Sequence, residues 1–120
     1  MNGEICWLVE LTIKPGQLET FGALTGEMVD STRRELGVLS YQRFISEDRK
    51  TIHVFERYED SAAALAHLQV FAEKFAARFQ ELVERKRFVV FGCPTAELKA
   101  ALDGYGASYA TLFGEFAYWA

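Results

Sequence analysis

His67 is the residue of this chain whose surroundings point most directly to chemistry. It shares a helical stripe with Ala63, Phe71 and Phe75 at four-residue spacing, so its imidazole faces inward with aromatic rings. An imidazole in an apolar pocket can accept a phenol proton and leave an electron-rich anion, or it can hydrogen-bond a carbonyl. The plainer alternative is a core histidine tied to a backbone carbonyl or to a carboxylate such as Glu56. Glu56 lies at the parity of Val54 and Tyr58 in a β-rich run, on a partly apolar face. A carboxylate there needs a partner, since burying an unpaired one is costly. Arg43 on the neighbouring run is one candidate. Orienting His67 or an interface is the expected role of Glu56, with direct catalysis second. Tyr41, Tyr58, Trp7 and Phe71 can wall an aromatic pocket, although aromatic residues on strands more often belong to ordinary core. His53 reads as solvent-facing.

Other chemistries find less support. Cys6 and Cys93 lie far apart and show no ligand spacing, so no structural zinc site is expected. There is no glycine-rich dinucleotide fingerprint, and neither a metal nor a cofactor is expected. A net charge of −4 and a pI near 5.2 argue against broad nucleic-acid binding. The densest basic stretch, Arg85-Lys86-Arg87, reads as a solvated helix end, with an anion site as the minor alternative. Glu4 and Glu10 interrupt the first apolar run, so no signal-peptide pattern is read there. No apolar stretch approaches a membrane span, and a cytoplasmic location is the expectation.

The elements that position these residues follow from periodicity. Ile5, Trp7, Val9, Leu11 and Ile13 alternate along a first strand that Pro15-Gly16 ends. Between Gln17 and Leu36 the period becomes helical through Leu18, Phe21, Leu24, Thr25, Met28, Val29 and Thr32, and Gly37 stands where a left-handed cap belongs. Two β-rich runs, Val38 to Ser46 and Thr51 to Tyr58, flank a polar turn and predict a hairpin. Asp60 or Ser61 caps a second helix with the stripe Ala64, His67 or Leu68, Phe71, Phe75, Phe79 and Leu82. Lys86 to Gly92 supplies a fourth strand. The order β-α-β-β-α-β is an α+β, ferredoxin-like arrangement with an antiparallel sheet covered by helices on one face. Both faces of the central hairpin carry large apolar groups, with Phe44 and Phe55 opposite to Tyr41, Ile45, Ile52, Val54 and Tyr58. A sheet-to-sheet homodimer is the simplest cover for the second face.

Residues 1–92 are expected to form this domain. Residues 93–120 read as an extension packed on the same domain or on its dimer partner. Within it, Thr95 to Leu102 reads as a short helix closed by Gly104. A final strand or arm then carries Tyr105, Tyr109, Phe113, Phe116, Tyr118 and Trp119.

Three short patterns add a resemblance. Gly37 with Tyr41 entering the second strand, Glu56-x-Tyr58-x-Asp60 closing the third, and His67 early in the following helix resemble the antibiotic biosynthesis monooxygenase family, over about Ile5 to Phe91. The resemblance implies a dimeric α/β barrel and a pocket at His67. It also implies a choice of chemistries: cofactor-independent oxygenation of a small aromatic or quinol-type compound, haem degradation, or isomerisation of a small metabolite. Haem-degrading members use an asparagine on strand one with a tryptophan, here matched by His67, and a histidine on helix two; for the asparagine and the histidine the chain offers no counterpart. The matching positions here hold about Val9 and Ala77, so that branch is disfavoured. The leading expectation is a monooxygenase without metal or flavin, with His67 and Glu56 catalytic and Tyr41, Tyr58, Trp7 and Phe71 against the substrate. The alternatives are a non-catalytic dimeric domain that binds a small hydrophobic molecule, or an isomerase using the same pocket.

Overall fold

The structure is a computed structural model and describes residues 3–117. Among the described residues, five strands and four helices run in the order β1 (Ile5–Ile13), α1 (Leu18–Arg33), β2 (Val38–Ile45), β3 (Thr51–Tyr58), α2 (Ser61–Lys74), α3 (Ala76–Leu82), β4 (Val83–Phe91), α4 (Ala96–Asp103) and β5 (Ser108–Ala110). The sheet order is β2-β3-β1-β4-β5, antiparallel except for the β4–β5 pair. The expected ferredoxin-like α+β architecture is therefore present, with a fifth strand added at the β4 edge.

The alternation read in β1 decides which face is core. Ile5, Trp7, Val9, Leu11 and Ile13 are all buried beneath the helices, with Phe21, Leu24 and Met28 of α1 and Ala64 and Leu68 of α2. Burying each large side chain contributes about 1.5–3 kcal/mol. Register then lines up two rows on that inner face. Tyr41, Glu56, Trp7 and Val90 form one row across β2, β3, β1 and β4; Arg43, Val54, Val9 and Phe88 form the next.

The second helical stripe is continuous in sequence but broken in space. Phe75, at φ −125° and ψ −24°, divides α2 from α3. Asp60 caps α2 by accepting from the Ala63 N–H at 2.9 Å. Gly37 takes a positive φ of +82° close against α2: a Cβ there would come within 2.6 Å of the Ala63 Cβ. That approach sets the end of α1 beside the first turns of α2.

The expectation for the basic stretch does not hold. Arg85-Lys86-Arg87 is no helix end, because β4 begins at Val83, directly after α3. The β1–β4 register shifts between Glu10 and Leu11, pairing Arg87 with Glu10 and Arg85 with Leu11. Lys86 is the extra residue of this bulge, and strict alternation back from Phe88 would have turned Lys86 inward instead. The bulge re-aims Arg85 to the covered face.

The C-terminal extension builds onto this same chain as far as Ala110. Thr95 caps α4, and Leu98 and Leu102 are fully buried. β5 pairs with β4 from Val89–Ser108 to Phe91–Ala110. Beyond it Leu112, Phe113 and Phe116 are exposed; Tyr118 and Trp119 lie outside the described residues.

Candidate functional site

His67 projects from α2 into the layer between helices and sheet and is buried. Two carboxylates flank it. Its Nδ1 lies 2.9 Å from Glu35 Oε1, at the end of α1, and its Nε2 lies 3.3 Å from Glu56 Oε1, on β3. Burial alone disfavours a charged imidazole, but the two carboxylates outweigh it and raise the His67 pKa to about 9. At neutral pH the ring is therefore an imidazolium with a proton on each nitrogen. The Nδ1 proton has a well-formed acceptor in Glu35. The Nε2 proton meets Glu56 at longer range.

Glu56 is buried, and burial pushes its carboxyl upward. Hydrogen bonding from His67 and Tyr58, together with the imidazolium charge, reverses that and holds it below the ordinary carboxylate range. The Tyr58 hydroxyl donates to Glu56 Oε1, and burial first, then the Glu56 charge, push the Tyr58 phenol well above its usual value. Arg43, considered as the Glu56 partner, is not one. It sits one row further along the sheet, opposite Val54, and donates to Tyr41 Oη at 2.7 Å and Thr25 Oγ1 at 3.0 Å. Burial pushes the Tyr41 phenol up to about 12, although Arg43 pulls against it. Both tyrosine rings lie 5.4 Å from the imidazole, centroid to centroid.

Beside this cluster is a cavity of about 50 Å³, room for a few water molecules. Glu56 and His67 stand among otherwise mostly apolar walls that include Trp7, Tyr41, Phe71 and Phe88. Of the expected contact residues, Trp7, Tyr41 and Phe71 line it. Tyr58 stands behind, packed on Trp7 at 4.8 Å between ring centroids. His53 lies on the opposite face of β3, in register with Glu10 and Phe44. Among the described residues no group of three or more His, Cys, Asp or Glu side chains is disposed to hold a metal ion.

Three contributors are not placed at this pocket by the sequence, where Arg85 reads as part of a solvated basic stretch and Tyr105 as part of the terminal arm. Glu35 falls in the polar run that ends α1 and resembles any solvated helix terminus. Its only signal is its place two residues before Gly37, whose close approach to Ala63 carries it alongside His67. Arg85 reaches the cavity through a bulge that alternation does not foresee. Tyr105 reaches it from the extension, between Phe71 and Phe88, with ring centroids 6.3 Å from each.

The model of the antibiotic biosynthesis monooxygenase family matches residues 5–70, more than half of the chain, and the chain belongs to that family. Among solved structures it is similar to MupZ from Pseudomonas fluorescens, at 24% identity and a TM-score of 0.86, over 98% of this chain and 96% of that one. A match of that extent takes in α4 and β5. It is also similar to SnoaB, a cofactor-independent oxygenase from Streptomyces nogalater, at 14% identity and a TM-score of 0.67, over 78% of this chain and 96% of that one. Rv0793 from Mycobacterium tuberculosis shares 24% identity over 78% of this chain and 97% of its own, with a TM-score of 0.68. At these identities the likeness shows a common fold. No curated protein matches the chain.

Proposed function

We propose that this member of the antibiotic biosynthesis monooxygenase family is a cofactor-independent monooxygenase acting on a small aromatic or quinol-type compound bound beside His67. The observation that carries the reading is the position of a buried imidazolium, clamped by Glu35 and facing Glu56, at the wall of an aromatic cavity. Such a cation stabilises the oxyanion of a bound phenol or enol, which is the electron-rich form that reduces dioxygen. Glu56, 3.3 Å from Nε2, is the carboxylate placed to take the departing proton. His67 thus acts as the holder of the anion; in its resting state it is no base. The substrate gives up four electrons in all: two go to the oxygen atom it keeps as a new carbonyl, and two reduce the other, which leaves as water with the substrate's two protons. Electrons and atoms balance without an external reductant.

Tyr41, Trp7 and Phe71 serve as substrate contacts, and Tyr58 holds Glu56 in place. The lining residues that retain solvent exposure are Tyr41, Arg43, Phe71, Arg85 and Tyr105, so a ligand larger than a few waters enters by displacing these. A homodimer belongs to the same reading. Phe44, Phe55 and Phe91 are 53%, 44% and 40% exposed on the face turned away from the helices, beside a trough of about 400 Å³. Three half-exposed aromatic rings on one sheet face favour a second copy as the cover, and Leu112 and Phe113 of the tail are available to reach it.

Dioxygen consumption by metal- and flavin-free protein with a panel of quinols tests the function. Uptake above the protein-free rate is expected, with His67→Gln lowering it by roughly 100-fold. Unchanged turnover in that variant would remove the role given to His67. Solvent-deuterium exchange into substrate without dioxygen uptake would instead indicate an isomerase, and binding without turnover a non-catalytic domain.

A further inference from the structure

The charged groups of the cavity are unevenly paired. Both carboxylates of the cluster, Glu35 and Glu56, face His67. The two guanidiniums that line the same cavity, Arg43 and Arg85, form no ion pair among the described residues. Arg43 donates only to neutral atoms, Thr25 Oγ1, Tyr41 Oη and Met28 Sδ, and its Nε is buried without a partner. Arg85 lies over the Tyr105 ring at 5.2 Å and makes no side-chain hydrogen bond among the described residues.

Two part-buried cations without counter-charge in one apolar cavity are costly to keep. The fold does not require the second of them. Arg85 faces inward only because β4 carries a bulge, at the expense of local ladder pairing. Burial also pulls the Arg85 pKa below its ordinary value, a cost that an anion in the cavity would offset.

We propose that the pocket takes a small apolar acid, its carboxylate held by Arg43 and Arg85, its body against Trp7, Phe71 and Phe88, and its reactive end at His67. A planar carboxylate matches a guanidinium in a paired hydrogen-bond geometry. A hydrated phosphate dianion would give up far more water on entering walls that are otherwise mostly aromatic and aliphatic. The inference rests on the His67 cavity being the substrate site and specifies which compounds of the proposed class enter it.

The probes are benzoate and its neutral counterpart benzamide, titrated calorimetrically at pH 7 into the intact protein and its variants. Benzoate should bind at least about 10-fold more tightly than benzamide. Arg85→Gln should erase most of that preference and Arg85→Lys should keep it. Arg43→Gln should erase it as well. Because Arg43 is tied to α1 and its replacement can destabilise the fold, the less anchored Arg85 decides alone if that variant unfolds. Equal affinity for the two probes, no benzoate binding at millimolar concentration, or a preference surviving in Arg85→Gln would each overturn the proposal. The titration needs no turnover. Absence of the acid preference in the native protein refutes this inference whether or not the protein consumes dioxygen, and a negative quinol panel refutes the monooxygenase reading whether or not benzoate binds.

Discussion

At the scale of single residues, the charge on His67 decides which chemistry the cavity can perform. A neutral imidazole would abstract a proton; an imidazolium stabilises an oxyanion. Glu35 and Glu56 favour the cation, since both can accept a ring N–H at once only when both nitrogens are protonated. Glu35 Oε2 is buried without a donor, so removing the imidazolium would leave that carboxylate with little compensation. A side-chain nitrogen-15 NMR titration should place the His67 midpoint near 9 rather than near its ordinary 6.5. Stability must follow. Because the folded-state pKa is the higher one, the stabilisation is whole below pH 6.5 and is lost as the pH rises through about 9. On the order of 3 kcal/mol is at stake. Chemical unfolding of the native protein should weaken over that window, while His67→Gln should show a flatter profile. A native midpoint at or below 6.5 would contradict the imidazolium.

At the scale of elements, the cluster exists because the end of α1, the start of α2 and the end of β3 meet. Gly37 is the contact that allows it, with a positive φ and the Ala63 Cβ 2.6 Å from where its own Cβ would lie. Gly37→Ala should destabilise the fold by about 1–3 kcal/mol and shift α2, weakening the His67–Glu35 pair. A thermal melt would read the first effect, and a fall in the His67 midpoint the second. Such elements were largely legible in the sequence. Period-two alternation in β1 and Glu56's parity with Val54 and Tyr58 named the inner face, and the stripe through His67 aimed it inward. Three features were hidden for physical reasons. Phe75 breaks the helix without a proline or glycine to announce it. The bulge at Lys86 moves one residue between faces, which no regular period records. Glu35 reaches His67 through tertiary packing of two helices, a contact that is not local to either.

At the scale of the whole molecule, the helices cover one face of the sheet and leave the other with Phe44 against Phe55, ring centroids 5.7 Å apart, and Phe91 nearby. A homodimer through this face is expected. Sedimentation equilibrium at micromolar concentration should give twice the chain mass, and Phe55→Lys should shift it toward the monomer; a monomeric native protein would remove the sheet-to-sheet argument. The tail contributes differently along its length. As far as Ala110 it completes its own subunit and delivers Tyr105 to the cavity. Leu112, Phe113 and Phe116 beyond it stand exposed. The assembled pocket, on the proposed reading, splits dioxygen between product and water. Mass analysis of the product formed under oxygen-18 gas, using quinols that pass the uptake screen, tests it most directly. One labelled atom is expected in the product and its twin in water; a product that carries no label, or takes its new oxygen from solvent, would rule out a monooxygenase.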